Sequence, residues 1–234
     1  MKKKNQFWVD YVTGSGLNKY PIEIRIRKVS FQAISYEPEK VRDLCRQGCK
    51  NYNFAGGCPP FAPFFAQIAE QYQTFFLATG TFWPQYKTEK VRESPRMYVH
   101  FRLQDHILSR LLHHIGLQVR EKTGGLFLGS GFCMGCTGKK CNFKNGLNYC
   151  VNPDKRTFSM EATGINVCKT VHENMGINFY WYKKGEKLDI PLTKCCLFAF
   201  NTNITDDEFC SLFLKLNKSQ ASSLGSKHLI GLID

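Results

Sequence analysis

The sequence has no apolar run of the length that a membrane-spanning helix requires, which is about 20 residues. It also lacks the apolar segment that follows the basic start of a secretion signal. Residues 1–4 are basic, but Gln6, Asp10 and Thr13 interrupt the stretch behind them. These two absences predict a cytoplasmic protein that does not enter the membrane.

The cysteines do not form an even set. The chain has 11 of them, so they cannot all pair, and a complete disulfide framework is excluded. Such frameworks are typical of secreted chains, and no secretion signal supports one here. Reduced thiols that bind a metal are the better explanation for this cysteine content.

Acidic residues are few: 19 Asp and Glu stand against 32 Lys and Arg, giving a formal net charge of +13. A charge of this size allows contact with nucleic acid, an acidic protein or an anionic substrate. The sequence has no basic and aromatic signature of a known RNA-binding module. Nucleic acid is therefore disfavoured without being excluded, and we expect a redox partner protein or a small-molecule substrate.

The strongest chemical signal lies in a glycine-rich stretch at residues 129–167. It arranges four cysteines as C-x2-C-x4-C-x8-C, namely Cys133, Cys136, Cys141 and Cys150. Thiolate is the soft ligand that selects zinc, copper(I) or an iron–sulfur cluster. Zinc sites with four cysteines commonly contain two C-x2-C pairs, and the second pair is absent here. The spacing favours a [4Fe-4S] cluster, with zinc as the alternative.

A second group contains Cys45, Cys49 and Cys58, followed by two prolines. Three thiolates leave one position open on a cubane cluster, where a substrate or a distant ligand can bind. The remaining cysteines are the candidates for that ligand: Cys168, Cys195, Cys196 and Cys210. The last three lie in apolar segments, which is typical of buried core cysteines, so Cys168 is the possible additional ligand.

Hydrophobic periodicity predicts alternating strands and helices. The predicted strands cover residues 22–36 (a strand or a hairpin), 73–83, 126–129, 177–184 and 190–200, and residues 7–12 form either a strand or a helical turn. The predicted helices cover residues 38–45, 61–72, 94–122, 167–175 and 206–216. This order predicts an α/β fold with a mixed sheet flanked by helices, into which ferredoxin-like cysteine loops are inserted.

We expect residues 1–202 to form a single α/β metal-binding domain that carries both cysteine groups, and residues 203–234 to form a C-terminal extension. The long helix over residues 94–122 has an apolar stripe at three-to-four spacing. Three of its histidines, His106, His113 and His114, fall mostly off that stripe, so we expect them to be solvated.

Three segments read together resemble a known family: LCRQGCKNYNFAGGCPPFAP, then GFCMGC with YCVNP, then RTFSMEATGINV. The resemblance is to predicted metal-binding proteins of unknown function from bacteria and archaea, and it covers residues 41 to about 200. The chain departs from that pattern at Asn53-Phe54, Thr157-Phe158 and Asn166, none of which is a candidate ligand. The resemblance implies cysteine-bound metal, with a [4Fe-4S] cluster expected, and it implies no reaction.

We therefore expect an iron–sulfur protein with one or two clusters, acting as a reductase or a sulfur-transfer or desulfurising enzyme. The four-cysteine cluster would transfer electrons, and the three-cysteine cluster would have an open iron. The alternatives are a non-catalytic electron carrier for an acidic partner and a zinc-stabilised nucleic-acid-binding module. Glu161 and Arg156 are the candidate catalytic residues, and we expect them either to pair and orient the loop or to face a substrate.

Overall fold

The structure is a computed structural model, and it describes residues 5–13, 16, 18–136, 141–187 and 189–223. Within these ranges a six-stranded mixed sheet has the order β1-β2-β3-β6-β4-β5. The strands are β1 Gln6–Val12, β2 Lys19–Val29, β3 Thr74–Phe82, β4 Leu126–Gly129, β5 Phe158–Ser159 and β6 Leu192–Phe200. Neighbouring strands run antiparallel except β4 and β5, which are parallel. The predicted α/β class and mixed sheet are confirmed.

Helices cover both faces of the sheet. They are α1 Pro38–Gly48, α2 Phe65–Ala69, α3 Glu89–Arg92, α4 Met97–Thr123, α5 Val167–Met175 and α6 Asp206–Ser223. One core layer joins α4 and α6 to the sheet, and a second core layer joins α2 and α5 to the opposite face. In the described ranges, no helix combines the length and the apolar character needed to cross a bilayer.

The central strands β3 and β6 divide their side chains between the two layers. Phe76 and Phe198 face α4 and α6, whereas Phe75 and Leu197 face α2 and α5. Successive side chains of a strand point to opposite faces, so a strand covered on both sides has to be apolar throughout. This explains why both strands were recognisable as continuous apolar runs.

The C-terminal helix α6 belongs to the first of these layers. Phe209 stacks on Phe76 with ring centroids 4.5 Å apart, and Phe213 is also buried. The helix predicted over residues 206–216 is confirmed and extends to Ser223. Residues 224–234 of the expected C-terminal extension lie outside the described residues.

The strand predicted over residues 22–36 is confirmed up to Val29, where β2 ends, and residues 31–33 form a 3-10 turn instead. The strand prediction for residues 177–184 was wrong, although their aromatic content is typical of a strand. Tyr182 instead stacks on Phe101 of α4 with ring centroids 5.0 Å apart, and Trp181 is 74% exposed.

His106, His113 and His114 of α4 are partly buried, so the prediction that they are solvated was wrong. The surface of α4 that packs against the sheet is wide, so it also includes side chains at the edges of the apolar stripe. His113 packs edge-on against Phe127 with ring centroids 6.0 Å apart. Burial lowers the pKa of His113 from its ordinary value of 6.5 to about 4, and the pKa values of His106 and His114 are also lowered, chiefly by burial.

Backbone pairing brings α1 next to the segment that follows β5. The Glu37 N–H donates to the Gly164 carbonyl at 3.0 Å, and Tyr36 forms an isolated bridge with Ile165. Gly164 has a φ of +96°, and a β-carbon there would lie 2.8 Å from Pro38, so no other residue fits without a shift. The loop after α1 and the loop after β4 thereby emerge close together.

The contact between α4 and the sheet generates a first prediction. A β-carbon on Gly116 would overlap the Phe127 ring, whereas one on Gly48 at the end of α1 would meet open space. We expect Gly116→Ala to lower the free energy of unfolding by about 1–3 kcal/mol because the core is overpacked. Gly48→Ala is the matched control and should leave it within about 0.5 kcal/mol. Equal urea midpoints for both variants would contradict this packing.

The pKa of His113 generates a second prediction. Between pH 6.5 and about 4 the unfolded state binds a proton that the folded state does not, so stability falls as the pH falls. Each unit of pKa difference contributes about 1.4 kcal/mol. We expect His113→Gln to flatten the pH dependence of urea unfolding in this window. A wild-type slope in His113→Gln would refute the assignment.

Candidate metal centre

The first cysteine group lies at the end of α1 and in the loop behind it. Cys45 is in the last turns of the helix, and Cys49 is its C-terminal cap. The loop then folds back, with the Asn53 N–H donating to the Pro59 carbonyl at 2.8 Å. Cys58 is buried, Cys45 is partly buried and Cys49 is exposed. Burial, followed by the neighbouring thiols of Cys49 and Cys45, raises the pKa of Cys58 to about 12.

The second group follows β4, and its sulfur atoms accept hydrogen bonds. The Cys133 Sγ accepts the backbone N–H groups of Thr157 at 3.4 Å and Gly135 at 3.5 Å. The Cys136 Sγ accepts the side-chain amide of Asn152 at 3.7 Å. Hydrogen bonds to sulfur are the means by which proteins orient thiolate ligands and adjust the electronic properties of a bound metal.

The surroundings of Cys141 stabilise the ionised form of its thiol. Burial opposes ionisation of its thiol, but hydrogen bonds from the backbone N–H groups of Gly56, Lys144 and Phe143 more than offset it, so its pKa is lowered. Backbone N–H groups that converge on one sulfur favour the thiolate form, which is the form that binds metal. One of these donors, Gly56, belongs to the loop of the first cysteine group.

The two cysteine loops are in direct contact through glycines. A β-carbon on Gly57 would lie 2.6 Å from the Cys133 Cβ, and one on Gly56 would overlap the Phe143 ring. Only glycine lets the backbone directly before Cys58 approach the second loop this closely. Cys133 consequently interacts electrostatically with Cys58 of the first group and with Cys136 of the second.

Arg156 joins the same two loops by hydrogen bonds. Its Nε and Nη2 donate to the Gly56 carbonyl at 2.9 and 2.6 Å, and Nη2 also donates to the Phe61 carbonyl at 2.8 Å. Its guanidinium lies over the rings of Phe143 and Phe158, 5.0 Å from each centroid. A planar guanidinium that donates to backbone carbonyls and lies over two aromatic rings holds the loops in one arrangement.

The helix α4 also contributes hydrogen bonds that stabilise this arrangement of the loops. Arg120, in its last turn, donates through Nη1 to the Arg156 carbonyl at 2.7 Å and through Nη2 to the Asp154 carbonyl. The segment that precedes β5 is thereby fixed to the packed core of the protein.

The expected pairing of Arg156 with Glu161 is wrong in the part of the chain that the structure describes. The guanidinium is occupied by loop carbonyls, and Glu161 lies beyond β5 in the 3-10 turn Glu161–Thr163. Glu161 Oε2 is buried and has no hydrogen-bond partner among the described residues. Burial raises the pKa of this carboxyl, and the group interacts electrostatically with Cys45 and Cys168.

The other cysteines have separate locations. Cys195 and Cys196 lie buried in β6, where the Cys196 Sγ donates to the Ala78 carbonyl at 3.5 Å. Cys210 is buried on α6. All three belong to the apolar core layers, in agreement with their apolar sequence context. Cys168 is exposed at the start of α5, on the side of Glu161.

The seven candidate ligands thus form two adjoining groups of free thiols rather than a closed coordination site. Among the described residues, no three His, Cys, Asp or Glu side chains converge closely enough to hold a metal ion as they stand. Residues 137–140, inside the second loop, lie outside that description. The chemistry of the donor set fits a thiolate-bound metal, because unpaired thiols and N–H donors to sulfur occur together.

Several supporting residues were not recognised from the sequence. Arg120 is 36 residues from its partner Arg156, so no local pattern reports their contact. The role of the Thr157 backbone N–H cannot be recognised from a sequence motif, because motifs are defined by side chains. The pair Gly56-Gly57 directly before Cys58 was the one available signal, since adjacent glycines beside a ligand indicate a close backbone approach.

A comparison with family models matches residues 27–198 to DUF2284, described as a predicted metal-binding protein. Neither the comparison with curated proteins nor the comparison with solved structures found a match. The matched range includes both cysteine groups, Arg156 and the central strand β3. It confirms the resemblance recognised in the cysteine segments. The chain belongs to the DUF2284 family of predicted metal-binding proteins.

Proposed function

We propose that this protein is an iron–sulfur protein with two adjoining cysteine-ligated centres. The observation that carries the proposal is the close approach of Gly57, next to Cys58 in the first loop, to Cys133 of the second loop, which brings the two sets of thiols side by side. Cys133, Cys136, Cys141 and Cys150 would hold a [4Fe-4S] cluster, and such a cluster, when bound, exchanges single electrons.

The number of thiols supports a second centre. Four thiolates saturate a tetrahedral zinc ion or one cubane cluster, and the first group supplies three more. Cys58 is buried among them, and a buried thiol that is surrounded by other thiols is difficult to ionise without a cation. We assign Cys45, Cys49 and Cys58 to a second cluster with one iron not bound by this group.

The side chains near the second centre favour a redox or sulfur-handling enzyme. Glu161 lies between Cys45 and Cys168 in its electrostatic contacts, and its buried Oε2, which has no hydrogen-bond partner among the described residues, is the atom that we assign to a hydrogen bond with a substrate. Arg156 is a positioning residue in this proposal, because all described hydrogen bonds of its side chain are to the loop backbone.

A non-catalytic electron carrier is the second candidate, and one surface feature favours it. Phe54 and Phe132 are 47% and 49% exposed beside the two cysteine loops, and the Lys144 ammonium lies 5.5 Å from both ring centroids. An exposed aromatic pair around a cation, next to partly exposed thiols, suits the docking of an acidic redox protein.

Metal and acid-labile sulfide analysis after anaerobic purification tests the proposal. We expect about eight irons and eight sulfides per chain, from two cubane clusters. Cys133→Ala and Cys58→Ala should each lower the iron content, whereas Cys196→Ala, in the core, should not. A colourless protein that contains only zinc would refute the iron–sulfur assignment. About four irons per chain, unchanged in Cys58→Ala, would leave a single cluster and favour the carrier.

The role of Arg156 gives a further prediction. Arg156→Lys keeps the charge but loses the planar fork that spans both loops. We expect the bound metal to be lost to a chelator about 10- to 100-fold faster, in keeping with the effect of other residues that support metal ligands. The exposed neighbour provides the control, because Lys155→Arg should behave like the wild type. A wild-type rate in Arg156→Lys would show that the loops do not depend on this contact.

A further inference from the structure

A cavity of about 480 Å³ lies at the N-terminal end of α4, away from the cysteine groups. Its volume is within the range of small-molecule sites, roughly 300–1,000 Å³. Arg96 at this end of α4 and Arg120 at the metal centre are 24 positions apart on one helix, which corresponds to about 36 Å. The cavity is therefore separate from the proposed clusters.

The cavity has an apolar interior. Tyr20 of β2 and Val91 of α3 are buried in its wall, and Val99 and Leu103 of α4 continue the same lining. Such a surface accepts a flat or branched hydrocarbon body, because burial of apolar area is favourable and makes no demand on direction.

The outer lining is cationic. Lys90, Arg96 and Arg102 are exposed and line the cavity together with a single carboxylate, Glu93. In the part of the chain with described side chains, none of the three cations is engaged in an ion pair. Arg102 lies over the Tyr98 ring at 6.0 Å, so its guanidinium is held near the opening. These groups suit an acid group with two or more oxygens.

Two further polar features face this region. No side chain caps the N-terminus of the 27-residue helix α4. The Val99 N–H donates to the Arg96 carbonyl at 2.9 Å, and this end of the helix is the positive end of its dipole. His106 lines the cavity, and its Nε2 is buried without a hydrogen-bond partner among the described residues. Burial, followed by the nearby Arg110, lowers the pKa of His106, so near pH 7 the ring is neutral.

We propose that this cavity binds an organic acid with an apolar body, whose carboxylate or phosphate group contacts Arg96 and Arg102 at the opening. The hydrocarbon part lies against Val91, Val99 and Leu103, and His106 supplies one hydrogen bond in the interior. The proposal is independent of the metal assigned to the cysteines.

Calorimetric titration of the full, metal-loaded chain tests this inference with matched probes. 3-Phenylpropionate combines an acid group with an apolar body, 3-phenylpropanol has the body without the charge, and propionate has the charge without the body. We expect the first to bind at least about 10-fold more tightly than either of the others, since charged hydrogen bonds and burial both contribute. Phenyl phosphate, compared with 3-phenylpropionate, shows which acid group is preferred.

Variants locate the site. Arg96→Gln and Arg102→Gln should each weaken binding of 3-phenylpropionate by about 10-fold, whereas Arg92→Gln, an exposed cation of α3 outside the lining, should not. Amide shifts in nuclear magnetic resonance spectra should change at Val99 and Leu103 on titration. Equal affinity for the acid and the alcohol, an equal effect of Arg92→Gln, or no binding of either acid at millimolar concentration would overturn the proposal.

Discussion

The arrangement of the two cysteine groups depends on one guanidinium. Arg156 and its acceptor Gly56 are 100 residues apart in the sequence, and three hydrogen bonds to loop carbonyls place them side by side. An arginine cannot lose its charge at accessible pH, and its donors lie in a fixed plane. It therefore defines both the distance and the orientation between the loops. Loss of this contact would separate thiols that only the tertiary structure brings together.

Glycine makes the same contact sterically feasible. Gly56 and Gly57 allow the backbone before Cys58 to touch Phe143 and Cys133, and Gly135 lies against the Lys155 carbonyl. The sulfur atoms of Cys133 and Cys141 consequently accept hydrogen bonds from backbone N–H groups. Such an environment stabilises negative charge on sulfur without adding a formal positive charge. Backbone N–H groups therefore provide polar surroundings for the candidate metal centre, and the charged side chain of Arg156 orders the loops that carry them.

Features that depend on contacts within one segment could be predicted from the sequence, whereas features that depend on contacts between distant segments could not. The strands β3 and β6 and the helices α4 and α5 were predictable, because burial on one or both faces leaves a periodic pattern within each segment. Residues 177–184 have the composition of a strand, but Tyr182 packs on Phe101 of α4, a contact that no local pattern reveals. Ligand spacing identified each cysteine group separately. That the two cysteine groups lie next to each other could not be predicted, since it depends on contacts between segments far apart in the chain.

The position of the centre explains why hydrogen bonds, rather than apolar packing, have to order it. The two core layers follow the sheet and its covering helices, and of the seven candidate ligands only Cys58 is buried. Ordering a backbone segment costs about 1–2 kcal/mol per residue, and apolar burial in the loops is confined to a few side chains, among them Ala55, Ala62 and Phe143. Any metal that binds the thiols must therefore contribute to the folding free energy of these loops. Metal affinity and loop order are then two measures of one equilibrium.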